Sequence, residues 1–549
     1  MRVFAVRAVG RVIGFAPCLL LPGVLGAQNP PQAPTIHVST HLVQIGVVVR
    51  DKNGAVKDLT RDDFVILDRG KAQAIGVFSA EPGRAASTAQ AAQPLPPNTF
   101  SDQVRNSGSE SRSVTIVLLD NLNTLFGSDP QPYEKTPYWL EDHALAAARQ
   151  KLMEFLKQMN PGDRIAIYGL TERLRVLCDF TCDRDQLLAV VGKYDATSGT
   201  ARDSAEPSIT QVSDMPDFSY GDQATVDTQA LADINNQRRG EITMSALTAI
   251  AAHVADVPGR KNLLWLTANL PFSGEAVARV LARGNIVAYP VDARGLLPGA
   301  PVISMDDVDG DAYAEGKAGR PLGHTTVPVG IDTMVDMAAD TGGHAFVNTN
   351  NIASAIRAVV EDAGGAYTLG FYLPAGEVDG KFHKLTVEVR RPELSLAYPR
   401  GYFAFKDTAA SEDESHNSFL AAIRSPLDAS AVPLQVKLNR VDQPQAQSLQ
   451  IVGVVGIGNI RLPKDGDARR GAVDVYTIEQ DAAGNVLHQA NQRLNLKLTE
   501  PQYQAYLQSG ILFHEVLQPE KGATVLRVLV QDPGTSEVGS VIIPLARVK

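Results

Sequence analysis

The chain has 549 residues, too many for one hydrophobic core, and roughly two to four domains are expected. Its composition, 44% hydrophobic and 20% charged, is that of a globular protein and not of a disordered one. A formal charge of −10 argues against nucleic acid and against an anionic membrane surface as partners.

Residues 1–27 read as a signal peptide. Arg2, Arg7 and Arg11 precede the apolar run Val12–Leu25, and Leu25-Gly26-Ala27 supplies a small-residue cleavage site. The apolar run is too short to span a bilayer comfortably, which disfavours an uncleaved anchor. Cleavage removes those three positive charges and no others, taking −10 to −13. A secreted or periplasmic location follows, and no later segment is apolar enough to place a span in the mature chain. Residues 34–83 form a small β module, with strands at Val43–Val49 and Asp63–Asp68 and turns at Asp51–Gly54 and Arg69-Gly70. Residues 84–112, rich in Ala, Ser, Pro and Gln and without periodicity, are a linker.

Residues 113–406 make the centre of the chain. Val114–Leu119 is a short apolar run that delivers Asp120 to the end of a strand buried on both faces. In open α/β sheets ligands sit beyond the carboxyl ends of the strands, so Asp120 is a candidate site residue. A helix over 141–159 leads to a strand at 163–170, a hairpin strand at 173–178, and helices at 183–194 and 242–256. Strands at 262–267 and 285–292, helices at 273–283, 331–341 and 351–363, and strands at 344–348 and 366–373 follow. This alternation predicts an α/β class with a doubly wound, mostly parallel sheet, closed by alternating strands up to residue 406. Cys178 and Cys182 bracket Asp-Phe-Thr at the end of the hairpin; in an oxidising compartment they form a small disulfide, and otherwise they stay as two thiols. Two polar insertions, 198–239 and 298–328, interrupt the domain. Asp306–Asp311 resembles the first half of a calcium loop but has Ala318 where an EF-hand places its glutamate, so it reads as a solvated acidic loop.

Val117-Leu-Leu-Asp120, Leu177-Cys-Asp-Phe-Thr181, Pro258-Gly-Arg-Lys261, Asp379–Leu385 and Arg400-Gly-Tyr-Phe403 together resemble a von Willebrand factor A domain, and more narrowly the bacterial, acidobacterial-type VWFA-related proteins. The resemblance implies a Rossmann-like sheet and, in members with a metal-ion-dependent adhesion site, three loops converging on one Mg²⁺ or other divalent ion. Carried over, Asp120, Thr124 and Thr243 would be metal ligands. Leu122 replaces the middle serine and Ala268 the third-loop aspartate, so the site is degenerate. No cofactor is therefore fixed. Asn121, Asn123 and Asn269 supply amide oxygens for a partner or an ion.

Residues 407–432 are a second linker, and 433–549 a C-terminal β-sandwich-like domain, with strands such as 450–456, 472–479 and 524–531. There is no Gly-x-Ser-x-Gly elbow, no His-Glu-x-x-His and no phosphate loop. The reading is an exported, non-enzymatic binding or adhesion protein whose partner is a protein or an extracellular-matrix or cell-surface ligand. The alternatives are an exported metal-dependent hydrolase and a structural assembly module without ligand.

Overall fold

The structure is a computed structural model that describes residues 40–52, 54–80, 95–103, 114–123, 149–159, 163–194, 223–257, 260–268, 270, 272–294, 330–349, 351–364, 366–405, 411–443 and 446–548. The signal segment 1–27, Thr124, Asn269 and Asp306–Asp311 lie outside the described residues.

Among the described residues, four of the five sheets are antiparallel throughout. In the first, β14 (Ser395–Ala397), β1 (Thr40–Asp51), β12 (Ala366–Pro374) and β5 (Val77–Ser79) lie side by side, with β2 (Gly54–Ala55) folded back on β1. In the second the order is β15 (Gly401–Phe403), β13 (Phe382–Val389), β3 (Phe64–Asp68) and β4 (Lys71–Gln73). The inward residues of these two sheets, among them Ile45, Val47, Ile66, Leu369, Phe371 and Val387, share one core. The strands before the central sheet thus complete their pairing only with strands that follow it.

The C-terminal region is a second pair of sheets. One runs β21 (Ile511–Leu517), β17 (Ala446–Val455), β16 (Leu434–Gln443), β6 (Thr99–Ser101). The other has β18 (Lys464–Asp465), β19 (Ala468–Gln480), β22 (Val525–Gln531) and β23 (Val538–Pro544), with β20 (Val486–Thr499) also on β19. β6 comes from the stretch expected to be linker. Three residues are too few for an alternating pattern to register in the sequence.

Among the described residues, parallel ladders are confined to the fifth sheet, ordered β11 (Ile286–Asp292), β10 (Lys261–Thr267), β7 (Val114–Asp120), β8 (Arg164–Leu170), β9 (Leu174–Cys178), where β9 is antiparallel to β8. The expectation of a doubly wound, mostly parallel α/β class flanked by separate N- and C-terminal sandwiches is therefore corrected: the described chain is mostly strand, and antiparallel pairing predominates. The strand–helix alternation was a local signal, and it carried no information on pairing across hundreds of residues. β12 shows this, since it reads as one more strand of the central sheet but pairs antiparallel with β1 along nine residues, Thr40↔Pro374 to Val48↔Ala366.

Helical residues 149–156 (α1) with α2 (Arg184–Lys193), α3 (Gln223–His253), α4 (Gly274–Arg283), α5 (Ile331–Thr341) and α6 (Ile352–Gly364) accompany the fifth sheet. α7 (Glu412–Arg424) and α8 (Glu500–Ser509) belong to the C-terminal region. Val114, Ile116 and Leu118 of β7 pack into one apolar cluster with residues of α3, α4 and α5, while Val117 and Leu119 pack into another with α1, α2 and α6. That two-sided burial is why β7 is apolar without alternation. No helix among the described residues is long and apolar enough to cross a membrane.

Two polar joints tie the fifth sheet to its neighbours. Arg260, just before β10 and 2% exposed, donates to the carbonyls of Gly46 (3.3 Å) and Gly342 (2.9 Å) and to Tyr289 Oη (2.6 Å). A Cβ on Gly46 would stand 3.0 Å from Arg260 Cδ, so a larger residue there would require the arginine side chain to shift. At the end of α3, His253 lies 2.7 Å from the Asp428 carbonyl and 3.2 Å from an Asp179 carboxylate oxygen. Ser430 Oγ beside it donates toward the His253 carbonyl (2.8 Å) and Asp256 (2.8 Å).

Candidate functional site

β7 ends on Asp120, whose carboxylate is completely buried. The chain then turns sharply, with the amides of Asn121 and Leu122 both donating to the Leu170 carbonyl at the end of β8 (2.9 and 3.1 Å). The turn is closed by Asp120 itself. Its Oδ1 accepts from the backbone N–H of Asn123 (3.0 Å), and its Oδ2 accepts from Asn123 Nδ2 (2.9 Å) and from Trp265 Nε1 of β10 (2.9 Å). The Thr267 hydroxyl also donates to this carboxylate. A carboxylate has about four lone-pair positions, so four donors use its capacity. Burial nevertheless pushes the Asp120 carboxyl above the usual range, against the pull of Asn123, Trp265 and Thr267.

Asn123 extends the network to α3. Its Nδ2 also donates to Thr243 Oγ1 (2.9 Å), which in turn donates to the Arg239 carbonyl (2.8 Å). Asn123 Oδ1 is buried and has no hydrogen-bond partner among the described residues. Arg239, 6% exposed and one turn before Thr243, is electrostatically coupled to Asp120. Burial lowers the pKa of its guanidinium and Asp120 counteracts that. Asn121 is held from the other side, its Oδ1 accepting from Tyr194 Oη (3.0 Å). The next strand repeats the pattern: Asp292, at the end of β11 and fully buried, accepts from Arg294 Nε (2.8 Å) and Nη2 (2.9 Å).

The structure thus brings Asp120, Asn121, Asn123 and Thr243 together, all four fully buried. Thr124 and Asn269 fall outside the described residues. Leu122 is 8% exposed and belongs to the apolar cluster between the sheet and α3, so the residue standing where the resemblance places a hydroxyl ligand is a core side chain. Cys178 and Cys182 are joined by a disulfide, Cα atoms 6.1 Å apart, at the mouth of the hairpin. Sequence reasoning missed Trp265, Thr267, Tyr194 and Arg239 as partners of this turn. Only Asp292-x-Arg294 carried a local signal, a carboxylate and a guanidinium two positions apart.

The described donor set does not fit a divalent cation. Mg²⁺ requires several oxygens free to turn lone pairs inward. Here one carboxylate faces four hydrogen-bond donors, a second is clamped by its own arginine, and the cation coupled to Asp120 is a guanidinium. Among the described residues no group of three or more His, Cys, Asp or Glu is placed to hold a metal.

Comparison with protein-family models finds no match, and comparison with curated proteins finds none. Among solved structures the chain is similar to a von Willebrand factor type A protein from Catenulispora acidiphila, at 12% identity and TM-score 0.25 over 79% of this chain and 67% of that one. It is also similar to an aerotolerance-related membrane protein from Bacteroides fragilis, at 14% identity and TM-score 0.25, covering 46% of this chain and 98% of the other. Proximal thread matrix protein 1 from the mussel byssus gives 7% identity and TM-score 0.25 over 46% and 47%. TM-scores this low carry no role across from these proteins.

Proposed function

We propose that this is an exported, non-enzymatic binding protein that uses the loops beyond the carboxyl ends of β7 and β10 to hold a protein or matrix partner without a bound ion. The observation that supports this reading most is the closed state of Asp120. A general base or a metal ligand needs free lone pairs, whereas this carboxylate takes hydrogen bonds from Asn123, Trp265 and Thr267. What such a network does well is fix a turn. It holds Asn121–Asn123 against β8, β10 and α3, and pre-organisation of that kind lowers the entropic cost of binding. The Cys178–Cys182 disulfide, opposite Ile167 and not at the turn, supports the oxidising location.

The test is binding of the labelled full chain to a panel of purified matrix proteins and bacterial surface fractions, in EDTA and in millimolar Mg²⁺, Mn²⁺ or Ca²⁺, alongside thermal unfolding in the same buffers. Binding that survives EDTA, with a melting temperature indifferent to the ions, is expected. Binding abolished by EDTA, or a melting temperature raised selectively by one ion and not in Asp120→Ala, overturns the ion-free reading.

A further inference from the structure

Among the described residues the C-terminal sandwich has five outer strands, and four of them are protected. β6 is only three residues long and β18 only two. β23 is covered by 428–432, through Ser540 N–H to the Ala429 carbonyl (2.7 Å) and Ile542 N–H to Asp428 Oδ1 (2.7 Å). β20 carries exposed Arg493 and Lys497, the charged residues that deter strand addition. β21, Ile-Leu-Phe-His-Glu-Val-Leu, has neither lysine nor proline and, among the described residues, pairs on one side only, with β17. Its outward residues Leu512 and Val516 are 60% and 61% exposed. Half-buried Val454 and Val452 continue that apolar face on β17, opposite Leu512 and His514. The one carboxylate of the strand, Glu515, does not reach this face, since its Oε1 accepts from Thr477 Oγ1 (2.8 Å).

The sequence of this edge is self-complementary about His514. Antiparallel pairing of two copies centred there sets Leu512 against Val516 twice on the outer face, and Ile511 against Leu517 and Phe513 against Glu515 on the inner. Shifting the centre to Phe513 or Glu515 puts Leu512 or Val516 against His514 instead. Any antiparallel pairing of two identical strands is two-fold in this way, residue i meeting j while j meets i; the His514 register is the one that keeps the exposed Leu512 and Val516 together. We infer that β21 is a homodimerisation edge: two copies pair antiparallel through it about His514, merging their β21-β17-β16-β6 sheets into one.

Sedimentation equilibrium of the full chain from about 1 to about 100 µM tests this. A monomer–dimer equilibrium is expected, weakened at least ~10-fold by Val516→Lys, with unchanged circular dichroism and melting. In a Cys18→Ser background, His514→Cys forms an intermolecular disulfide on mild oxidation, while His488→Cys on β20 does not. A wild-type chain monomeric to about 100 µM, or a Val516→Lys chain that dimerises as tightly as wild type, overturns the inference. So does cross-linking through His488→Cys but not through His514→Cys.

Discussion

Two charges are buried near opposite ends of β10, and they are satisfied differently. Asp120, beside the carboxyl end, takes its hydrogen bonds from the turn it begins and from the neighbouring strand. Arg260, before the amino end, sends its own to Gly46 of β1, to Gly342 after α5 and to Tyr289, whose hydroxyl donates to Asp362 of α6 (2.9 Å). The anion organises one loop. The cation fastens the fifth sheet to the first, and an arginine suits that task because its planar fork reaches several acceptors at once. Arg260, whose acceptors include groups on three other segments, is a joint, whereas Asp120 closes its own turn as well as meeting β10 and so shapes a site.

Breaking the joint should cost most. Arg260→Ala leaves two carbonyls and a tyrosine hydroxyl without their donor and opens a cavity beneath β1, a loss of roughly 3–5 kcal/mol. Arg260→Lys should recover only part of it. Urea unfolding followed by circular dichroism measures both, and a loss below about 1 kcal/mol for Arg260→Ala would remove the distinction. Asp120→Ala comes next, at roughly 3 kcal/mol, since it leaves the Asn123 and Trp265 donors unmatched and Arg239 without its countercharge. Asp120→Asn keeps the shape and should cost about half as much; equal losses would show that charge, not turn geometry, matters there.

The smallest effect tests a third buried group, His253. Burial alone would lower its pKa, but the hydrogen bond and charge of Asp179, with help from the Asp428 carbonyl, raise it. Its stabilising contribution is thus complete below about 6.5 and disappears as pH rises through the higher folded value. Asp428, pushed up to about 6 by burial, acts in the same sense, favouring the folded state when protonated. Asp179 acts oppositely: burial raises its pKa, but His253 outweighs this and the net shift is downward, so its contribution fades only as pH falls below the usual carboxylate range. The melting temperature should be higher at pH 6 than at pH 8, by a margin that narrows in His253→Gln. An unchanged margin would remove His253 from the account.

Asp120 was legible in the sequence because the seven consecutive buried residues Val114–Asp120 carry five aliphatic side chains without alternation. The link to α3 was half legible: Thr243 was named, but not that Asn123 reaches it. Trp265 was hidden, since an indole in a buried strand reads as core, and nothing local says that its N–H meets a carboxylate 145 residues away. Leu122 shows the reverse error. It reads as a lost ligand, yet it is a gained core contact.

The pairing of β1 with β12 also governs how the chain can be made. Residue 40 emerges more than three hundred residues before its partner at 374. At about 5–20 residues per second of synthesis, β1 waits roughly 15–60 s with its backbone unpaired. During that wait its Gln-Ile-Gly-Val-Val-Val stretch is the kind of segment that recruits foreign strands, so production of this protein should depend on what shields its first sixty residues.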